Sequence, residues 1–256
     1  MSGSNMLEAL FIGTAAFAGL LSQRIVGFGV PSFLVPVLLI YFSPPVAILI
    51  FLLVGTSSNL MNIFAHRDKR EIMWPIIIRL FVAALPGSLL GAFVVTHVAN
   101  KSLMQILIGL LVIASLSIQE FVFPKPNIPL RVSKGISMSG FLAGFLNSSF
   151  GVSASALILW FRTHICRPNQ IRHNLAVIFT LMNLVSFTLI YLNKPEALNA
   201  QPFVVFAWLV PVILIGHFLG RLLVKRINAK QFEKVVFVAV ITTGLLSIVI
   251  GITGLK

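Results

Sequence analysis

Charge is scarce in this sequence. Of 256 residues only 10% are charged, and six of those are carboxylates: Glu8, Asp68, Glu71, Glu120, Glu196 and Glu233. A soluble domain carries roughly 25% charged residues, so the composition excludes an ordinary water-facing domain. The single cysteine, Cys166, excludes an internal disulfide, and no His/Cys cluster has metal-ligand spacing. No apolar segment holds paired carboxylates, His-Glu-x-x-His or Gly-x-Ser-x-Gly. Acid–base and nucleophilic catalysis need such pairings. These absences argue against an enzyme, a resident metal or a cofactor. The N-terminus also lacks a basic stretch and a small-residue cleavage site. Residues 1–22 are therefore not read as a removed signal peptide.

What fills the chain instead is apolar: 58% of residues are hydrophobic. They fall into ten segments, roughly 5–22, 28–43, 45–65, 72–97, 101–123, 134–149, 151–163, 168–192, 202–226 and 230–253. A helix needs about 20 residues to cross a bilayer. The pattern predicts an all-α integral membrane protein whose surface meets lipid. The net charge of +13 does not call for nucleic acid, because the basic residues lie at segment ends, where they orient a membrane protein. Fourteen of the 19 basic residues fall at alternate junctions: Arg67, Lys69 and Arg70; Lys125, Arg131 and Lys134; Arg162, Arg167 and Arg172; Arg221, Lys225, Arg226, Lys230 and Lys234. Placing those junctions in the cytoplasm puts both termini outside the inner membrane.

Two stretches interrupt the segments in the same way. Ala18–Pro31 carries Gly27, Gly29 and Pro31, and Ala143–Ser153 carries Gly144 and Gly151. The likeness extends along both halves. At an offset of 124, Gly27 pairs with Gly151, Pro44 with Pro168, Thr56 with Thr180 and Asn59 with Asn183. At an offset of 129, Gly87 pairs with Gly216 and Gly91 with Gly220. The reading is two repeats, 1–123 and 134–256, joined by a cytoplasmic linker at 124–133 that holds Pro124, Pro126 and Pro129. Each repeat has about five segments and starts with short broken or re-entrant helices. The charge pattern requires an odd number of crossings per half, so the repeats are inverted. Inverted repeats with broken helices near the midplane mark many secondary transporters.

A broken helix exposes unpaired backbone N–H groups at a positive dipole end, and two such ends aimed at one point bind an anion. On this reading Gly27, Gly29, Gly151 and Ser153 line the site, with Ser148 and Ser149 as hydroxyl donors. Arg24 has two possible roles: a forked contact to the anion, or a residue at the cytoplasmic edge. Asn59 and Asn183 either line the pocket or hold helices together. His217 lies between Gly216 and Gly220, where packing is the default role and proton coupling the alternative.

At these residues the sequence resembles the sulfite exporter TauE/SafE family of membrane transporters. The likeness rests on the Gly27-Phe28-Gly29 break followed by Pro36, its copy at 143–155, the Gly-xxx-Gly helix of each half and the basic loop His66–Arg70. It implies export of sulfite, a sulfonate or a related small sulfur-containing anion by alternating access. An anion channel on the same fold is the alternative; a membrane-embedded enzyme is the weaker one. The expected partners are that anion and the lipid bilayer, with no nucleic acid.

Overall fold

The structure, a computed structural model, describes residues 3–26, 29–65, 72–98, 100–121, 135–152, 157, 160–161, 168–223 and 229–255. All regular structure among them is helical. The main helices are α1 (Gly3–Val26), α2 (Val30–Tyr41), α3 (Pro44–Ala65), α4 (Trp74–Phe93), α5 (Lys101–Phe121), α6 (Ile136–Phe150), α7 (Pro168–Asn193), α8 (Ala200–Leu223) and α9 (Ala229–Thr253). A π-helical turn, Val94–Val98, extends α4, and a short 3-10 turn, Pro195–Leu198, precedes α8. Six helices (α1, α3, α4, α7, α8 and α9) are long and apolar enough to cross a membrane. Two are short. At 1.5 Å per residue, the 12 residues of α2 and the 15 of α6 reach about 18 and about 22 Å, below the ~30 Å hydrocarbon core. Of the expected segment 151–163, residues 157, 160 and 161 are helical. The linker 124–133 lies outside the described residues.

Local sequence explains the helix ends. Gly29 takes φ 140°, a conformation open to glycine. Pro31 falls in the first turn of α2, where its missing N–H costs nothing. That helix ends at Phe42, whose extended backbone returns an N–H to the Leu38 carbonyl at 2.8 Å. Pro44 then starts α3. In the second half α6 stops on Gly151, left-handed at φ 73°, whose N–H caps the Asn147 carbonyl at 3.0 Å. The start of α7 lies 124 residues after that of α3, but α7 runs one turn longer, to Asn193. That extra turn and the three-residue longer lead of α8 before Gly216, offset by a connection two residues shorter, account for the change of offset from 124 to 129.

The helices pair closely. The windows of α3 and α7 are 61% and 50% buried inside the protein, against 28% for α1, α8 and α9, so α3 and α7 form the centre. They contact each other; α8 packs on α3 and α4 on α7. Two further pairs run parallel, α1 with α8 and α4 with α6, and α5 crosses α9 antiparallel. The α4–α6 crossing brings backbones together. A Cβ on Gly87 would fall onto the Phe141 carbonyl, and one on Gly144 onto that of Ala84. The α1–α8 crossing is looser: a Cβ on Gly216 would sit 3.1 Å from the Leu20 Cβ, and one on Gly220 3.0 Å from the Arg24 Cβ. The outer helices turn apolar residues outward, as Val235, Val238, Leu245, Leu246, Val249 and Ile252 do on α9. That face suits lipid chains.

Candidate functional site

Where α1, α3, α6 and α7 meet at the two breaks, a small pocket of about 30 Å³ opens. Four carboxamides line it: Gln23, Asn59, Asn147 and Asn183. So do three glycines, Gly29, Gly55 and Gly151, and an apolar wall of Val30, Pro31, Phe51 and Phe179. Gly55 faces Asn183 so closely that a Cβ would meet its Nδ2 at 3.2 Å. The position 124 residues later is Phe179, so glycine on α3 stands where α7 supplies a ring.

The carboxamides bond in two pairs with the same separation. Gln23 Nε2 donates to Asn59 Oδ1 at 2.8 Å. Asn147 Nδ2 donates to Asn183 Oδ1 at 3.0 Å. Both pairs span 36 residues, and one maps on the other at the offset of 124. The supporting bonds differ. Ser58 Oγ donates to Gln23 Oε1 at 2.7 Å, whereas Asn147 Nδ2 also reaches Ser186 Oγ at 3.2 Å. Asn59, Asn147 and Asn183 are each 2% exposed or less. Buried amides must be satisfied, and these largely satisfy each other. Because Asn59 and Asn183 accept through Oδ1, their NH₂ groups are the parts left to donate within the pocket.

Of the residues expected from sequence, Gly29, Asn59, Gly151 and Asn183 come together around this pocket. Gly27 and Ser153 lie outside the described residues. Ser148 and Ser149 are buried but do not line it. The hydroxyl of Ser148 shares a 2.6 Å bond with that of Ser186, and Ser149 lies beside Gly91 of α4. The Arg24 side chain bonds Asn62 Oδ1, one turn beyond Asn59 on α3. It also lies within electrostatic reach of Arg172 and Arg221, so it belongs to a cationic group at the ends of α1, α7 and α8. His217 is half-buried on α8 and is not among the lining residues. Sequence reasoning missed Gln23 and Asn147, although the offset of 124 relates them as it does Asn59 and Asn183. Amide chemistry at a matched position was the available signal, since Gln23 and Asn147 match in chemistry and not in identity.

The model of the family described as "Sulfite exporter TauE/SafE" matches residues 11–247. The chain belongs to the sulfite exporter TauE/SafE family. As a TauE/SafE protein it is a multi-pass membrane protein of a transporter family, and its long apolar helices agree. A relative from Cupriavidus necator, described as "Probable sulfite/organosulfonate exporter TauE", is 24% identical over 251 residues, covering 95% of each chain. No solved structure matches this TauE/SafE chain.

Proposed function

We propose that this protein exports a small sulfur-containing anion from the cytoplasm, with the four-amide pocket as its binding site and alternating access as its mechanism. One observation carries the reading: the pocket draws on both halves of the chain, through two hydrogen-bonded amide pairs related by one offset. The repeats 1–123 and 134–256 are proposed to be inverted copies, with their two break-and-helix units rocking about this pocket. The helix pairings support that view. Exchanging the halves converts the α1–α8 pair into α6–α4, converts α3–α8 into α7–α4, and leaves α3–α7 and α5–α9 in place. The cytoplasmic assignment of the basic junctions makes the Arg24, Arg172 and Arg221 group the inner mouth, where it raises the local anion concentration. The likeness to the Cupriavidus sulfite/organosulfonate exporter supplies the substrate class. Purified protein in proteoliposomes tests the reading. Sulfite or a short alkanesulfonate on the far side should accelerate exchange of labelled substrate, and Asn183→Leu should abolish it. Flux independent of far-side substrate would mark a channel instead.

A further inference from the structure

We infer that the pocket selects singly charged anions, alkanesulfonates and hydrogensulfite, and rejects dianions such as sulfate and fully ionised sulfite. The inference rests on the four-amide pocket being the substrate site and adds the valence of what it accepts.

Among the described residues the pocket's polar lining is carboxamide and backbone, with no lysine, arginine or histidine. The chain around both breaks contributes none either: Gly27, Phe28, Ser153, Ala154, Ser155 and Ala156 are all neutral. The nearest arginine in sequence, Arg24, is engaged with Asn62, one turn beyond the amides. Amide N–H groups and helix ends carry partial charges only. They can satisfy the oxygens of one delocalised negative charge. The cost of taking an ion out of water rises with the square of its charge, so a dianion costs about four times as much as a monoanion of the same size. Hydrogen bonds to neutral donors grow far less steeply with charge, so the second charge goes uncompensated. The arginine group at the mouth does not reverse this. It concentrates anions of either valence, but a dianion gives up that attraction when it moves inward.

The apolar wall points the same way. Phe51, Phe179, Val30 and Pro31 occupy one side of the pocket. A sulfonate has three oxygens at one end and carbon at the other, so it can turn its oxygens to Asn59 and Asn183 and its carbon to the rings. Sulfate has oxygen on every side and would strand one against phenylalanine, where a polar atom loses its partners.

Competition and pH together make the test, with wild-type protein in proteoliposomes. Methanesulfonate, a monoanion throughout, should be carried at a rate that changes little across the second ionisation of sulfurous acid. Sulfite transport should fall as pH rises, by about tenfold per pH unit once above that ionisation, tracking hydrogensulfite. Sulfate should compete poorly at every pH. Gln23→Arg places a full charge beside the amides and should raise sulfate relative to methanesulfonate by at least about tenfold. Sulfate or dianionic sulfite carried as fast as methanesulfonate, and still abolished by Asn183→Leu, would overturn the valence rule while leaving the pocket as the site. Transport of all these anions unaffected by Asn183→Leu would remove the pocket itself, and the inference with it.

Discussion

Gly151 caps α6 at φ 73°, and a Cβ there would lie 2.8 Å from the ring of Phe51. Alanine would therefore incur backbone strain of about 1–2 kcal/mol and push Phe51 into the pocket. Gly151→Ala should cut transport sharply, and Gly151→Leu should abolish it while insertion, read by membrane fractionation, persists. The amides give a graded version. A hydrogen bond to a charged partner contributes about 1.5–3 kcal/mol, so Asn59→Leu and Asn183→Leu should each weaken binding by roughly 10- to 150-fold, measured by calorimetry. Matching losses would reflect their matched positions. Arg24→Lys should do less, because Arg24 contacts Asn62 and loses a fork rather than a substrate contact. Much of this site was legible in the sequence. Gly29 and Gly151 stood out because they sit at the two breaks, and Asn59 and Asn183 because they match at the offset of 124 inside apolar segments. Gln23 did not, since it reads as the polar end of a segment until the fold brings it back against α3. Ser148 and Ser149 stand outside the pocket lining for a geometric reason. They precede the break by one turn, but helical rotation turns one toward Ser186 and the other toward Gly91.

At the level of helices, the contrast between crossings sets the energetics. Gly144→Ala would drive a methyl into the Ala84 backbone, which has no rotamer with which to yield. Overpacking costs about 1–3 kcal/mol where side chains can move, and here the cost should reach or pass the top of that range. Gly216→Ala meets side chains, Leu20 at 3.1 Å and Phe17 at 3.6 Å, and should cost less. Gly135 has nothing within 4 Å of a Cβ, so Gly135→Ala should leave the melting midpoint unchanged. Thermal unfolding in detergent checks the order Gly144, Gly216, Gly135. The helix boundaries were readable because Gly29, Pro31, Pro44, Gly151 and Pro168 act through the backbone alone. Which helices touch was not readable, because apolar residues surround each segment and no polar face marks the inside. The Gly87/Gly91 and Gly216/Gly220 spacings announced close crossings but named no partner.

For the whole molecule, orientation and driving force are the open quantities that experiment can fix. Single cysteines at positions 69 and 230 in a Cys166→Ser background should resist labelling from outside intact cells, since both lie at the basic junctions. Among the described residues no carboxylate lines the pocket, and proton- and sodium-driven carriers usually hold an ionisable group at mid-depth. Net export should then follow the substrate gradient and the membrane potential. About 100 mV contributes about 2.3 kcal/mol per charge, nearly fiftyfold in concentration ratio for a monoanion. Proteoliposomes at clamped potential should show no uphill transport driven by a pH gradient acting on the carrier when methanesulfonate is the cargo; if they do, and His217→Gln removes it, His217 is the coupling group. The unequal crossings also bear on how such a machine would move. Between α4 and α6 the glycines put backbone on backbone, a weld with no compliant layer. Between α1 and α8 the side chains of Leu20 and Arg24 form a cushion that can shear. A device with one seam welded and the other cushioned does not swing evenly: the cushioned side travels and the welded side serves as its anvil. Amide exchange on α1 and α8 should accordingly outpace that on α4 and α6, and a cross-link between α1 and α8 should stall transport that one between α4 and α6 leaves running.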